Sequence, residues 1–181
     1  MELVTKKRLM LFSGRANVPL AEEIAAHLGV PLGEVSLSSF ASGEVYVRYA
    51  ESIRGADVFV IQSHAQAVND QIMEQLIMID AAKRASAKRI TAVVPFYQYA
   101  RQDKKTEGRE PITARLVADL FTAAGANRLV AVDLHTAQIQ GFFDGPVDHL
   151  TALPVLSDYL ATALRGERVV VAPDAGRVKL A

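Results

Sequence analysis

The sequence predicts an α/β fold, a mostly parallel sheet with helices on both faces and one early β-hairpin. Three observations carry that expectation. Short apolar runs alternate with longer stretches whose apolar residues recur at helical spacing. Two strand-like runs, 35–40 and 44–49, are separated only by Ala41-Ser42-Gly43, as in a hairpin. The later strand-like runs end in charged or glycine-containing loops, the place where open α/β sheets bind ligands.

Leu9-Met10-Leu11-Phe12 is the first apolar run, and it ends at Ser13-Gly14. Pro19 to Leu28 places Leu20, Ile24, Ala25 and Leu28 on one helical face, and Gly29 stops it. Val58 to Ile61 reads as a buried strand after the hairpin. Asn69 to Arg84 reads as a helix with apolar Ile72, Met73, Leu76, Ile77, Ile79 and Ala81. That face is wider than one stripe; core packing explains it, and a partner surface is the second reading. Ile90 to Val94 is another buried strand, and Pro111 to Val117 opens a helix with proline in its first turn. Leu129 to Asp133 reads as a strand, Thr151 to Leu164 as a helix, and Val169 to Val171 as a last strand before Pro173-Asp174-Ala175-Gly176. A strand–loop–helix unit stopping at Ala181 looks unfinished. The expected domains are 1–150 and the opening of a second, 151–181.

Composition narrows the function classes. Half of the 181 residues are apolar, enough for one well-buried domain. Twenty Lys and Arg balance twenty Asp and Glu, which argues against nucleic acid as the main partner but leaves room for a local basic pocket. The absence of cysteine excludes disulfides, thiolate nucleophiles and thiolate metal sites. No apolar stretch reaches bilayer length, and Leu9 to Phe12 is too short for a signal-peptide core. A cytoplasmic chain without a membrane partner is expected.

The chemistry concentrates in a few segments. Tyr99-Ala100-Arg101-Gln102-Asp103-Lys104-Lys105 lies between a strand and a helix. Its arginine suits a polyphosphate through a two-pronged fork, and its lysines suit it as point charges. Residues 101–110 carry four cations and three anions, and solvation alone accounts for most mixed-charge loops. Asp133 and His135 stand two apart at a strand end, so both are expected on one face, where they suit a divalent cation or its water shell. A turn cap at Asp133 with a packed His135 is the plain alternative. Asp144 and Asp148 follow and could join a magnesium site, although loop aspartates ordinarily cap turns. Asp174 is another strand-end acid, suited to Mg²⁺, to a ribose hydroxyl or simply to its turn. At the hairpin tip, Phe40 offers a ring to stack on a base, and Ser42 and Glu44 offer polar contacts. For such a tip, packing of Phe40 and a solvated Glu44 is the ordinary reading. No P-loop and no Gly-x-Gly-x-x-Gly follows any strand.

Taken together, these segments resemble the ribose-phosphate pyrophosphokinase family, the phosphoribosyl pyrophosphate (PRPP) synthetases. The matching pieces are Phe12-Ser13-Gly14, Phe40 to Glu44, Glu51 to Gly55, Met73 to Asp80, Tyr99 to Lys105, Asp133 to Asp148 and Pro173 to Gly176, in family order. The resemblance implies a type I phosphoribosyltransferase-like fold. It implies transfer of the pyrophosphoryl group of ATP to the 1-hydroxyl of ribose 5-phosphate, with Mg²⁺, giving PRPP and AMP. By the same resemblance Phe40, Ser42, Gly43, Glu44, Arg101 and Gln102 contact ATP. His135 and Asp174 hold metal, with Asp133, Asp144 and Asp148 on a segment also implicated. Ser52, Arg54 and Arg109 belong to a regulatory phosphate site. The adenine loop comes from a neighbouring subunit, so a homo-oligomer, usually a hexamer, is implied.

The departures matter as much. Only the first half of the family pattern and the opening of the second are present. The flexible loop with its catalytic lysine and arginine is absent, as is the cradle for the ribose 5-phosphate group. No catalytic residue is therefore expected in this chain, and the chain alone is expected to be inactive. Ser42 stands where asparagine is usual, Ala137 where some members have serine, and Arg177 where many have glycine. A non-catalytic regulatory or assembly protein of the same family is the alternative. A PRPP-consuming transferase is disfavoured because the PRPP loop is missing.

Overall fold

β1 (Leu9–Ser13) enters the interior at once, with all but its first residue buried. The chain is seen in a computed structural model that describes residues 8–167 and 169–172. α1 (Val18–Leu28) follows, capped by the Asn17 side chain, which accepts from the Leu20 N–H at 3.3 Å. Gly29 ends it in the left-handed conformation, φ 65°. β2 (Val35–Ser39) and β3 (Val45–Tyr49) form the expected antiparallel hairpin, with Leu37 opposite Val47. Then come β4 (Asp57–Ile61), α2 (Val68–Arg84), β5 (Arg89–Val94), α3 (Thr113–Ala124), β6 (Arg128–Val132) and β7 (Val147–Leu150).

The main sheet has the order β1-β4-β5-β6-β7, and every neighbouring pair is parallel. Parallel strands covered on both faces must be apolar on both. One face packs Phe12, Val58, Val60, Ala92 and Leu129 with Met78 and Ile79 of α2 and Phe121 of α3. The other packs Leu11 and Ile61 under Ala21 and Ala25 of α1. α2 is sandwiched, because the hairpin covers it from outside. Val35, Leu37, Val47 and Tyr49 point inward, and the Tyr49 hydroxyl donates to the Met78 carbonyl at 2.9 Å. The wide apolar face of α2 is thus used mainly in the core, while Met73 stays exposed.

Three expectations need correction. α3 begins at Thr113, so Pro111 lies before the helix. The helix starts where its free N–H groups find an acceptor, and the Gln102 carbonyl takes the Ala114 N–H at 3.1 Å. β6 ends at Val132, one residue short of Asp133. Val169 to Val171 form no strand and are 85%, 71% and 79% exposed. A strand exists only through a ladder partner, and none is present among the described residues.

The chain divides into the units 1–150 and 151–181. The second contains α4 (Leu153–Ala163), which buries none of its residues.

Candidate functional site

The loop after β5 is pinned at three residues. Tyr99, at φ 60°, donates its hydroxyl to Asn69 Oδ1 at 2.6 Å. Gln102 accepts from the Thr113 hydroxyl at 2.5 Å through its side-chain oxygen, besides holding Ala114 through its backbone. Asp103 is buried, 5% exposed, and its Oδ2 accepts from Thr136 Oγ1 at 2.5 Å and Gln138 Nε2 at 2.8 Å. Those bonds, that of Thr136 first, hold its carboxyl below the usual carboxylate range, with the nearby His135 as a smaller contributor. Beside these pins, Arg101, Lys104 and Lys105 are exposed and make no ion pair among the described residues. A fixed backbone with unspent cations is preorganised for an anion.

Arg101 and Lys104 border a cleft of about 210 Å³, lined also by Gln102, Thr106, Glu110 and Pro111. That is below the roughly 300–1,000 Å³ of sites for drug-sized ligands, so it suits a phosphate chain better than a whole nucleotide. Glu110 lines the same cleft but makes no ion pair with these cations among the described residues. Its Oε2 closes the loop on itself, accepting from the Thr106 N–H (2.7 Å), the Thr106 hydroxyl (2.9 Å) and the Glu107 N–H (3.0 Å).

The second loop leaves β6. Asp133 has φ 46°, a left-handed turn that ends strand alternation, so the expected same-face placement of Asp133 and His135 does not follow from the strand. β7 holds this turn. The Asp133 N–H donates to the Leu150 carbonyl at 2.9 Å, and the Leu134 N–H to His149 Nε2 at 3.0 Å. A short 3₁₀ turn follows over Ala137–Gly141, anchored by buried Ile139.

Two of the expected metal residues are engaged in ion pairs. Asp144 pairs with Arg115 at 3.6 Å, and Asp148 with Arg128 at 2.6 Å. Among the described residues no three acidic or histidine side chains are placed to hold an ion. Asp174 lies outside the described residues. Such a donor set does not fit an all-protein cage. It fits a Mg²⁺ that keeps its waters and takes most of its oxygens from a nucleotide, because Mg²⁺ commonly binds with only one or two protein groups.

At the hairpin tip Phe40 is 59% exposed and meets Tyr46 edge-on, centroids 6.1 Å apart. Gly43 supplies the turn at φ 91°, and Ser42 donates to Glu44 at 2.7 Å. No hydrogen bond joins this tip to residues 99–105 among the described residues. Ser52 and Arg54 precede β4, at the edge where the parallel strands begin, whereas Arg109 lies in the segment leaving the edge where β5 ends. No hydrogen bond or ion pair joins Ser52 or Arg54 to Arg109 among the described residues.

Comparison with known proteins decides the family. The profile of the N-terminal domain of ribose phosphate pyrophosphokinase matches residues 9–125. The chain belongs to the ribose-phosphate pyrophosphokinase family. It is 63% identical over 177 residues to a ribose-phosphate pyrophosphokinase of Streptomyces coelicolor, covering 97% of this chain and 55% of that protein. It is 59% identical over 177 residues to one of Mycobacterium tuberculosis, covering 97% of this chain and 54% of that one. The crystal structure of phosphoribosylpyrophosphate synthetase from Mycobacterium smegmatis superposes with TM-score 0.93 at 59% identity, covering 96% of this chain and 59% of that chain. The chain spans about half the length of the curated relatives it matches.

For this ribose-phosphate pyrophosphokinase family member, sequence reading missed Thr136, Gln138 and His149, and quoted Asp103 without giving it a role. Nothing local marks them, since their partners lie 33, 35 and 15 residues away. A lone acid inside a cationic loop was the one available hint.

Proposed function

We propose that this chain supplies the ATP side of a ribose-phosphate pyrophosphokinase. The whole enzyme would transfer the β,γ-pyrophosphoryl group of ATP to the 1-hydroxyl of ribose 5-phosphate, giving PRPP and AMP. The observation that carries the reading is the pinned loop that leaves Arg101, Lys104 and Lys105 unspent beside a phosphate-sized cleft.

In this reading the ribose 1-oxygen attacks the β-phosphorus while the bond to the α,β-bridging oxygen breaks, and AMP departs with that oxygen. The hydroxyl proton is lost to water. Such a transfer depends on positioned positive charge rather than on a covalent nucleophile. Arg101 would grip phosphate oxygens with its fork and Lys104 as a point charge. Gln102 has its oxygen engaged by Thr113, so its amide nitrogen is the end left to donate to a phosphate or base. When bound, Mg²⁺ would neutralise phosphate charge, with His135 reaching it through a water and Asp133 and Asp174 as the acids beside it. The exposed ring of Phe40, with Ser42, Gly43 and Glu44, would serve the adenine of a neighbouring copy. Ser52, Arg54 and Arg109 would meet around a phosphate only across copies, which makes a homo-oligomer part of the reading. Residues 151–181 would open a second, similar domain.

The test is AMP release from Mg-ATP and ribose 5-phosphate, measured on the 181-residue chain and on a version extended to the relatives' length. Turnover is expected only from the extended version, and Arg101→Ala should lower it by about 10²–10³, the typical loss of one positioned charge-stabilising group. An extended version without turnover, or equal turnover by both, would overturn the reading.

A further inference from the structure

We propose that Asp103 is a positioning residue that ties the cationic loop after β5 to the His135 loop after β6, so that the two halves of the phosphate site keep one spacing. The inference rests on the reading of that site given above.

Asp103 sits among Arg101, Lys104 and Lys105, yet it pairs with none of them. It is the one buried residue of 101–109. Its carboxylate turns away from the cations and accepts two donors from the other loop, the Thr136 hydroxyl and the Gln138 amide. Between residues 99–105 and 134–141, both hydrogen bonds end on Asp103. The loops belong to separate strand connections, β5 to α3 and β6 to β7, so the chain itself does not set their distance. A carboxylate only accepts, and its buried Oδ2 is satisfied by this pair of donors. Turning the acid inward also keeps it from neutralising Arg101 and Lys104. The remaining supports act on one loop each. Tyr99–Asn69 and Gln102–Thr113 fix the first, and His149–Leu134 fixes the second.

The test uses the 181-residue chain with Asp103→Ala, Thr136→Val and Thr136→Ser. Amide hydrogen exchange is followed in 99–105 and 134–138, and Mg-ATP affinity by titration calorimetry. Asp103→Ala should speed exchange in both segments together and weaken Mg-ATP, each by about tenfold or more, because it removes both buried hydrogen bonds and one alone is on that scale. Thr136→Val should do likewise, whereas Thr136→Ser keeps the hydroxyl and should retain wild-type exchange and affinity. The double variant should be no worse than Asp103→Ala alone. If Asp103→Ala loosens only its own loop, or Thr136→Ser behaves like Thr136→Val, the clamp is refuted. If Asp103→Ala does not fold, the Thr136 pair decides. If the wild-type chain binds no Mg-ATP, the exchange result alone decides the clamp, and AMP release by the extended version decides the functional reading.

Discussion

At the scale of single residues, buried polar groups show how closely this interior is specified. Gln75 lies inside α2 and donates its amide to the Val60 and Val93 carbonyls at 2.9 and 3.2 Å. Its oxygen is therefore left to accept from His64 Nε2 at 2.9 Å, which assigns the proton to Nε2. Nδ1 is buried without a partner, and the ring stacks on Phe121 at 6.2 Å. Burial lowers the His64 pKa from 6.5 to about 4. A neutral folded histidine that charges on unfolding favours the unfolded state in acid. Its effect is absent above pH 6.5 and grows as pH falls toward 4, reaching about 3 kcal/mol as an order of magnitude. Urea unfolding of the wild type should weaken across that window, and His64→Gln should flatten the dependence there even if it lowers stability overall. An unchanged slope in His64→Gln would assign the acid sensitivity elsewhere.

At the scale of elements, the approach of the segment after α1 to β1 sets a steric limit. Gly33 donates its N–H to the Leu11 carbonyl at 2.7 Å. A Cβ there would fall 2.3 Å from Phe12 Cε1, and Phe12 is fully buried. Gly33→Ala should therefore destabilise by about 1–3 kcal/mol through overpacking, and Phe12→Leu in the same chain should recover part of it. Gly29→Ala is the contrast. Its site is sterically open but left-handed, so only the conformational penalty of about 1 kcal/mol is expected. Denaturant midpoints of the three variants check the ordering, and equal losses at Gly33 and Gly29 would mean that Phe12 moves freely.

At the scale of the whole molecule, the absence of any hydrogen bond between the hairpin tip and the cationic loop among the described residues matters most. In the proposed oligomer, Phe40 of one copy serves Arg101 of another. Two family-length variants, Phe40→Ala and Arg101→Ala, should each be nearly inactive, yet mixed and reassembled they should recover part of the AMP release, because some sites then carry neither substitution. No recovery in reassembled mixed oligomers would place both residues in one copy's site. Sedimentation of the 181-residue chain should show self-association, and a clean monomer at tens of micromolar would count against it. No helix of the described residues is long and apolar enough to cross a membrane.

Much of this was legible in the chain because it is written in local patterns. Helical spacing marked α1 and α2, three residues between strand-like runs marked the hairpin, and seven segments in family order marked the family. Strand ends were harder. The left-handed turn at Asp133 looks like one more strand residue in the sequence, and the start of α3 depends on a carbonyl supplied by Gln102. The tertiary structure alone decided which charges are free. Arg101 and Asp148 are both plausible ligands in the sequence, but Asp148 is paired with Arg128 while Arg101 is unpaired among the described residues. It also decided that Asp103 faces Thr136 and Gln138 rather than the lysines beside it. Residue types determine what chemistry a loop can offer, whereas contacts between residues far apart in sequence determine which groups are already engaged.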